Sequence, residues 1–260
     1  MTNFESALLG AVQGLTEFLP VSSSGHLVIF QELLGVHEEG LHFEIAVHLA
    51  TLVSVLVYYR QRVHALLRGV CVGEREALVY TGKLALATLP AVGLVLAAGS
   101  FLERQFELPA VTGLCLGITG VVLWSTRRSA PRASLDAPGW GAAFGIGCAQ
   151  ALAILPGISR SGATVAAALA LGVRPAVAAE FSFLMSVIAI GGATLRMLPE
   201  LSGSPATALE SLWVGGAVAL FTGVAAIALF VRLLDGGKLY RFAYYTWGVG
   251  AVFLSWLWLR

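Results

Sequence analysis

Two apolar stretches of this chain, residues 4–34 and 140–172, are interrupted by proline, glycine and serine. The breaks read LPVSSSG from Leu19 to Gly25 and LPGISRSG from Leu155 to Gly162. Proline removes an amide donor and clashes with the preceding turn, so a helix stops or breaks there. The backbone groups freed by a break cannot face hydrocarbon, and must be wrapped by protein or line a wet cavity. A chain with such breaks inside apolar stretches has to enclose them.

The rest of the sequence says what encloses them. Of 260 residues, 57% are hydrophobic and 12% charged, about half the charge density of a soluble domain. Six further stretches, 43–59, 83–101, 108–125, 176–198, 211–231 and 241–258, are each long enough to cross a bilayer core. The expected fold is an all-α polytopic membrane protein, with six transmembrane helices and two re-entrant helical hairpins in one membrane domain over 1–260. Net charge is +1 and there is no basic tract, which argues against nucleic acid as a partner. Cys71, Cys115 and Cys148 form no metal or disulfide pattern and read as apolar fillers. No basic leader opens the chain, and Glu5 and Glu17 interrupt its first apolar run, so no cleavable signal peptide is expected.

Arg60, Arg62, Arg68, Arg75 and Lys83 follow the first span, Arg127, Arg128 and Arg132 the third, and Arg232, Lys238 and Arg241 the fifth. The positive-inside rule puts these loops in the cytoplasm. They stay on one side only if 140–172 enters and leaves by the same face, and the first broken segment then enters from outside. The two broken segments also superpose at an offset of 137 residues: Gln13 on Gln150, Leu15 on Leu152, Ser22 on Ser159, Ser24 on Ser161 and Gly25 on Gly162. This predicts an inverted-topology repeat, with halves 1–125 and 140–260 joined by a cytoplasmic loop, 126–139. Such repeats place a site where their broken helices meet.

The residues at the breaks suit phosphate. An arginine in an apolar segment is costly and marks a function by default. Arg160 stands among Ser159, Ser161, Gly162 and Thr164, where a helix start exposes amides and a guanidinium fork matches phosphate oxygens. In the first break, Gln13 and Glu17 share a helix face. A buried carboxylate must be paired, protonated or bound to metal, and a divalent cation, Mg²⁺ or Ca²⁺, is expected there beside the phosphate. Ser22, Ser23, Ser24 and Gly25 supply phosphate donors or a nucleophile, and His26 a base, an acid or the phosphoryl acceptor.

Other polar residues carry less. His48 and Glu44 share a helix face and serve the site or join two helices. Glu180, just after Arg174, reads as an interfacial ion pair or a site residue. His37, Glu38 and Glu39 read as a solvated loop. Tyr240, Tyr244, Tyr245, Trp247, Trp256 and Trp258 fit interfacial belts, and Gly113, Gly117 and Gly120 close helix packing.

The motifs QGLTEFLPVSSSGH (Gln13 to His26), LPGISRSGAT (Leu155 to Thr164) and AAEFSFLMSV (from Ala178) resemble those of the bacterial undecaprenyl-diphosphate phosphatase family, known for bacitracin resistance. The resemblance extends over the whole chain in length and span order. It implies metal-dependent removal of the terminal phosphate of undecaprenyl diphosphate, a site facing the outer side of the cytoplasmic (inner) membrane, and Glu17, Ser23, His26 and Arg160 on catalytic positions. Ser22, Ser24, Ser159, Ser161 and Thr164 fall on its phosphate-contacting segments. The family has Glu or Gln at the position of Gln13; this chain has the Gln form, one metal-binding carboxylate fewer. The expected partners are the polyprenyl diphosphate, the surrounding lipid and a second copy of the chain. The alternative is a transporter of polyprenyl phosphate or another anion, which needs Arg160 but has little use for Glu17, Ser23 and His26 together.

Overall fold

The computed structural model describes residues 1–34, 40–197 and 209–260. Among them are eleven α-helices: α1 Asn3–Phe18, α2 Ser23–Leu34, α3 Gly40–Tyr58, α4 Arg60–Cys71, α5 Arg75–Phe106, α6 Pro109–Ser129, α7 Trp140–Leu152, α8 Arg160–Ala170, α9 Pro175–Met197, α10 Leu209–Asp235 and α11 Phe242–Leu259. The only β-pairing among these residues is an isolated bridge between Leu135 and Val173. His37, Glu38 and Glu39 lie outside the described residues, as does the side chain of Glu44.

Local chemistry sets the helix starts. Thr2 and Glu5 cap each other at α1, Glu5 N donating to Thr2 Oγ1 (3.2 Å) and Thr2 N to Glu5 Oε2 (2.9 Å). Pro109 occupies the first turn of α6, where no amide is missed. At the two breaks a serine hydroxyl caps the next helix: Ser22 Oγ accepts from Gly25 N (3.2 Å) and Ser159 Oγ from Gly162 N (3.1 Å). These serines and glycines are pairs at the 137-residue spacing, so both breaks resolve their freed amides alike.

Four stretches, Arg75–Phe106, Pro109–Arg132, Pro175–Gly192 and Glu210–Asp235, are long and apolar enough to cross a membrane. The helices flanking the breaks have 16, 12, 13 and 11 residues. At about 1.5 Å per residue each is shorter than a bilayer core of about 30 Å. Each of the six predicted spans overlaps a described helix, and four of them, 83–101, 108–125, 176–198 and 211–231, overlap the stretches long and apolar enough to cross. The basic loop expected after Tyr59 is instead α4 and the first turns of α5. Arg, Gln, Ala and Leu are good helix formers, and charges exclude a segment from hydrocarbon without excluding it from a helix. α5 has 32 residues, with Pro90 inside it and a kink at Ala98 where the backbone leaves helical geometry, and it is long enough to cross the bilayer core despite the bend.

The helices interlock. α1 packs on α10, and α7 on α5. Gly10 of α1 and Gly147 of α7 make both approaches possible. A Cβ on Gly10 would lie 2.3 Å from Gly215 O, and one on Gly147 2.3 Å from Ala87 O. Small residues let backbones touch where no hydrophobic effect drives association. Gly113 and Gly120 of α6 likewise receive Leu254 and Trp247 of α11, and Gly117 O accepts from Trp247 Nε1 at 3.0 Å.

The core under the breaks centres on Phe183 of α9, 1% exposed, its ring centroid 5.5 Å from that of Phe18 and 5.2 Å from that of Phe230. Phe183→Ala is expected to cost about 3–5 kcal/mol. Thermal unfolding in detergent reads this as a lowered midpoint, and an unchanged midpoint would remove Phe183 from the core.

Candidate active site

The breaks at residues 19–22 and 153–159 stop α1 and α7 short and restart the chain as α2 and α8. They meet inside the protein. A Cβ on Gly25 would come 3.1 Å from Gly157 Cα, and one on Gly162 3.2 Å from Pro20 Cβ; Pro20 and Gly157 are themselves 137 apart. Both turns need the left-handed backbone region, at Ser22 (φ 71°) and at Gly157 (φ 94°). Glycine adopts it freely. Serine pays for it in strain and needs its surroundings to hold it.

Glu17, 7% exposed at the end of α1, joins the two breaks. Its Oε1 accepts from Arg160 Nη2 at the start of α8. Its Oε2 accepts from Ser23 Oγ and, at 2.9 Å, from Gln13 Nε2. Ser23 and Arg160 are one offset of 137 apart, so the two halves present a hydroxyl and a guanidinium to opposite oxygens of one carboxylate. A buried pair of this kind is strongly destabilised when one member is removed. Arg160 and Glu17 thus form an ion pair that ties the start of α8 to the end of α1.

These groups open onto a cavity of ≈330 Å³ lined by Glu17, Ser22, Ser23, Ser24, Ser159 and Arg160, with Thr16 and His48. Apolar walls come from Ile45, Phe106, Ile154 and Ile190. A polar head with apolar walls suits an amphiphile carrying phosphate. His48 is close enough to Glu17 to interact with it electrostatically.

The remaining predicted residues stand behind this lining. Ser161 Oγ lies 3.3 Å from Ser159 Oγ. Thr164, fully buried, donates to Arg160 O (2.7 Å) and lies 2.6 Å from Ser182 Oγ, pinning α8 to α9. Gly25 and Gly162 supply the capped amides. The ring of His26 does not line the cavity: Nδ1 is 2.8 Å from Ser22 O and Nε2 is 2.8 Å from Tyr245 Oη. In the sequence, Tyr245 is one more interfacial aromatic. It is 219 residues from its partner, and no pattern in a run of aromatic residues singles it out. Glu180 is drawn away from the cavity, accepting from Arg62 Nε (2.9 Å) and Tyr80 Oη (3.1 Å), while Arg174 pairs with Asp136 (2.8 Å).

Among the described residues no cluster of three His, Cys, Asp or Glu side chains could hold a metal ion. Gln13 Oε1, however, is buried with no hydrogen-bond partner, beside Glu17. One carboxylate and one free amide oxygen fit a divalent cation that takes its remaining ligands from substrate, the usual habit of Mg²⁺.

Fold and site together define an all-α multi-pass membrane protein with a polar cavity where its two broken helices meet. Over residues 6–252 the chain matches the family model described as bacitracin resistance protein BacA, and it belongs to that family. It is 39% identical over 267 residues to the undecaprenyl-diphosphatase of Desulfatibacillum aliphaticivorans, covering 96% of this chain and 97% of the relative. It is 39% identical to that of Carboxydothermus hydrogenoformans (98% and 97% covered) and 40% identical to that of Desulfosudis oleivorans (100% of each).

Proposed function

We propose that the chain hydrolyses undecaprenyl diphosphate to undecaprenyl phosphate and phosphate, with Ser23 attacking, Glu17 accepting its proton and Arg160 clamping the terminal phosphate. The substrate follows from the family. One observation supports the roles: at the wall of one cavity, Glu17 bonds both the Ser23 hydroxyl from the first break and the Arg160 guanidinium from the second.

Ser23 Oγ forms a bond to the terminal phosphorus as the bridging P–O bond breaks. Undecaprenyl phosphate leaves, and the serine proton passes to Glu17. Water then bonds to the phosphorus as the phosphoserine P–O bond breaks, Glu17 returns its proton to Ser23 Oγ, and phosphate departs carrying the protons of the water, which leaves Glu17 ionised for the next turnover. Arg160, the hydroxyls of Ser22, Ser24 and Ser159, and the first-turn amides of α2 and α8 orient the phosphate oxygens and take up developing charge. Gln13 and Glu17 would hold a divalent cation, Mg²⁺ or Ca²⁺, together with the diphosphate; when bound it neutralises phosphate charge and polarises the phosphoryl oxygens. Ser161, Gly162, Gly25 and Thr164 keep the two helix starts in place.

The same reading places the protein in the bacterial cytoplasmic membrane with the cavity toward the outer face, its halves 1–125 and 140–260 inverted. The loop charge bias and the matched geometry of the two breaks support this. The assembly to test is a homodimer, by cross-linking in native membranes.

The purified protein in detergent is expected to release phosphate from undecaprenyl diphosphate with Mg²⁺ or Ca²⁺ present, to stop on chelation, and to resume when the cation is restored. No release with any divalent cation, alongside movement of the lipid across vesicles, would make it a transporter.

A further inference from the structure

The reaction above gives no task to His26 or Tyr245, yet their hydrogen bond joins the start of α2, just after the first break, to α11. Ser22 O can only accept, so His26 Nδ1, 2.8 Å away, carries a proton. In the neutral ring Nε2 is then the acceptor, and Tyr245 Oη, 2.8 Å away, donates to it. The two rings lie parallel, 4° apart, with centroids 5.7 Å from each other. His26 is 5% exposed and Tyr245 is half exposed.

The chain of bonds ends on a strained residue. Ser22 is the only non-glycine residue with positive φ among those described. Its carbonyl accepts from both His26 N (3.1 Å) and His26 Nδ1 (2.8 Å). The next residue is Ser23, whose hydroxyl bonds Glu17. The conformation of Ser22 therefore aims Ser23.

The second break is braced in a corresponding way. Thr119 of α6 donates to Gly157 O (2.8 Å) and accepts from Ser159 N (3.0 Å), fixing the turn that contains the other left-handed residue. α6 and α11 pack against each other. One helix pair thus holds both turns, α6 through Thr119 and α11 through Tyr245.

We propose that Tyr245 is a positioning residue: acting through His26, its hydroxyl holds the Ser22 turn in the left-handed conformation that presents Ser23 to Glu17. The proposal rests on Ser23 as the attacking group. It explains why a histidine in the motif turns its ring from the cavity, and why a tyrosine among interfacial aromatics has a buried partner.

Tyr245→Phe keeps the ring and its stacking and removes only the hydroxyl. In purified protein with undecaprenyl diphosphate and Mg²⁺, kcat is expected to fall about tenfold with KM unchanged, because Tyr245 stands outside the lining of the cavity. In a His26→Ala background the same substitution is expected to have no further effect. In histidine-labelled wild-type protein, the His26 ring is expected to show ¹⁵N shifts of the Nδ1–H form. Wild-type kcat in Tyr245→Phe, a rise in KM alone, an undiminished effect in the His26→Ala background, or the opposite tautomer would each overturn the proposal. Ser23→Ala, measured alongside, separates the two claims: if it keeps turnover, the attacking group is misassigned, whatever Tyr245→Phe does.

Discussion

Arg160→Ala is expected to lower phosphate release from undecaprenyl diphosphate by on the order of 10²–10³-fold, the loss that follows removal of one preorganised charge-stabilising donor. Two effects combine. The terminal phosphate loses its cation, and Glu17, buried against α8, loses the partner of its Oε1. An uncompensated buried charge is severely destabilising, so Arg160→Ala is also expected to unfold at lower temperature in detergent. Arg160→Lys separates the effects. It restores a positive charge, and with it most of the thermal stability, but not the planar fork that binds carboxylate and phosphate together. Turnover in Arg160→Lys is expected to stay well below wild type. Steady-state phosphate release and thermal unfolding of the two variants check this, and wild-type turnover in either one means that Arg160 holds helices together and does not hold phosphate.

Ser23→Ala is expected to have the larger effect, a loss of at least about 10³-fold, because removing a nucleophile costs more than removing a donor. The wild type should form a phosphoserine at Ser23, trapped by acid quenching during turnover with labelled substrate and located by mass spectrometry. Label on His26 instead would transfer the attacking role to the histidine. Ser23 is partly buried and its hydroxyl bonds one carboxylate, so the truncation leaves Glu17 with Arg160 and Gln13 as partners. Thermal stability is therefore expected to change little, in contrast to Arg160→Ala.

The parts of this site that were legible in the sequence are those that are expensive in a membrane. A carboxylate, an arginine and two Pro/Gly/Ser breaks in apolar segments have few tolerable arrangements, and Glu17 with Arg160 across the two breaks is one of them. The helices were legible for the same reason. α4 was not, because charge argues against hydrocarbon and says nothing against a helix. Nor was the direction of His26. The motif places it three residues from Ser23, but only the turn at Ser22 and the distant Tyr245 decide that its ring faces α11. Glu180 shows the same limit: its partners, Arg62 and Tyr80, come from helices whose packing no local pattern reveals.

In the proposed reaction a residue from each break, joined by Glu17, acts in one catalytic unit. A double-mutant cycle in phosphate release, with Ser23→Ala, Arg160→Ala and the pair, tests it most directly. If the two residues act in one unit, the double variant is about as slow as the slower single variant. If the two losses multiply, Ser23 and Arg160 work independently, and the joint site at the meeting of the breaks is contradicted.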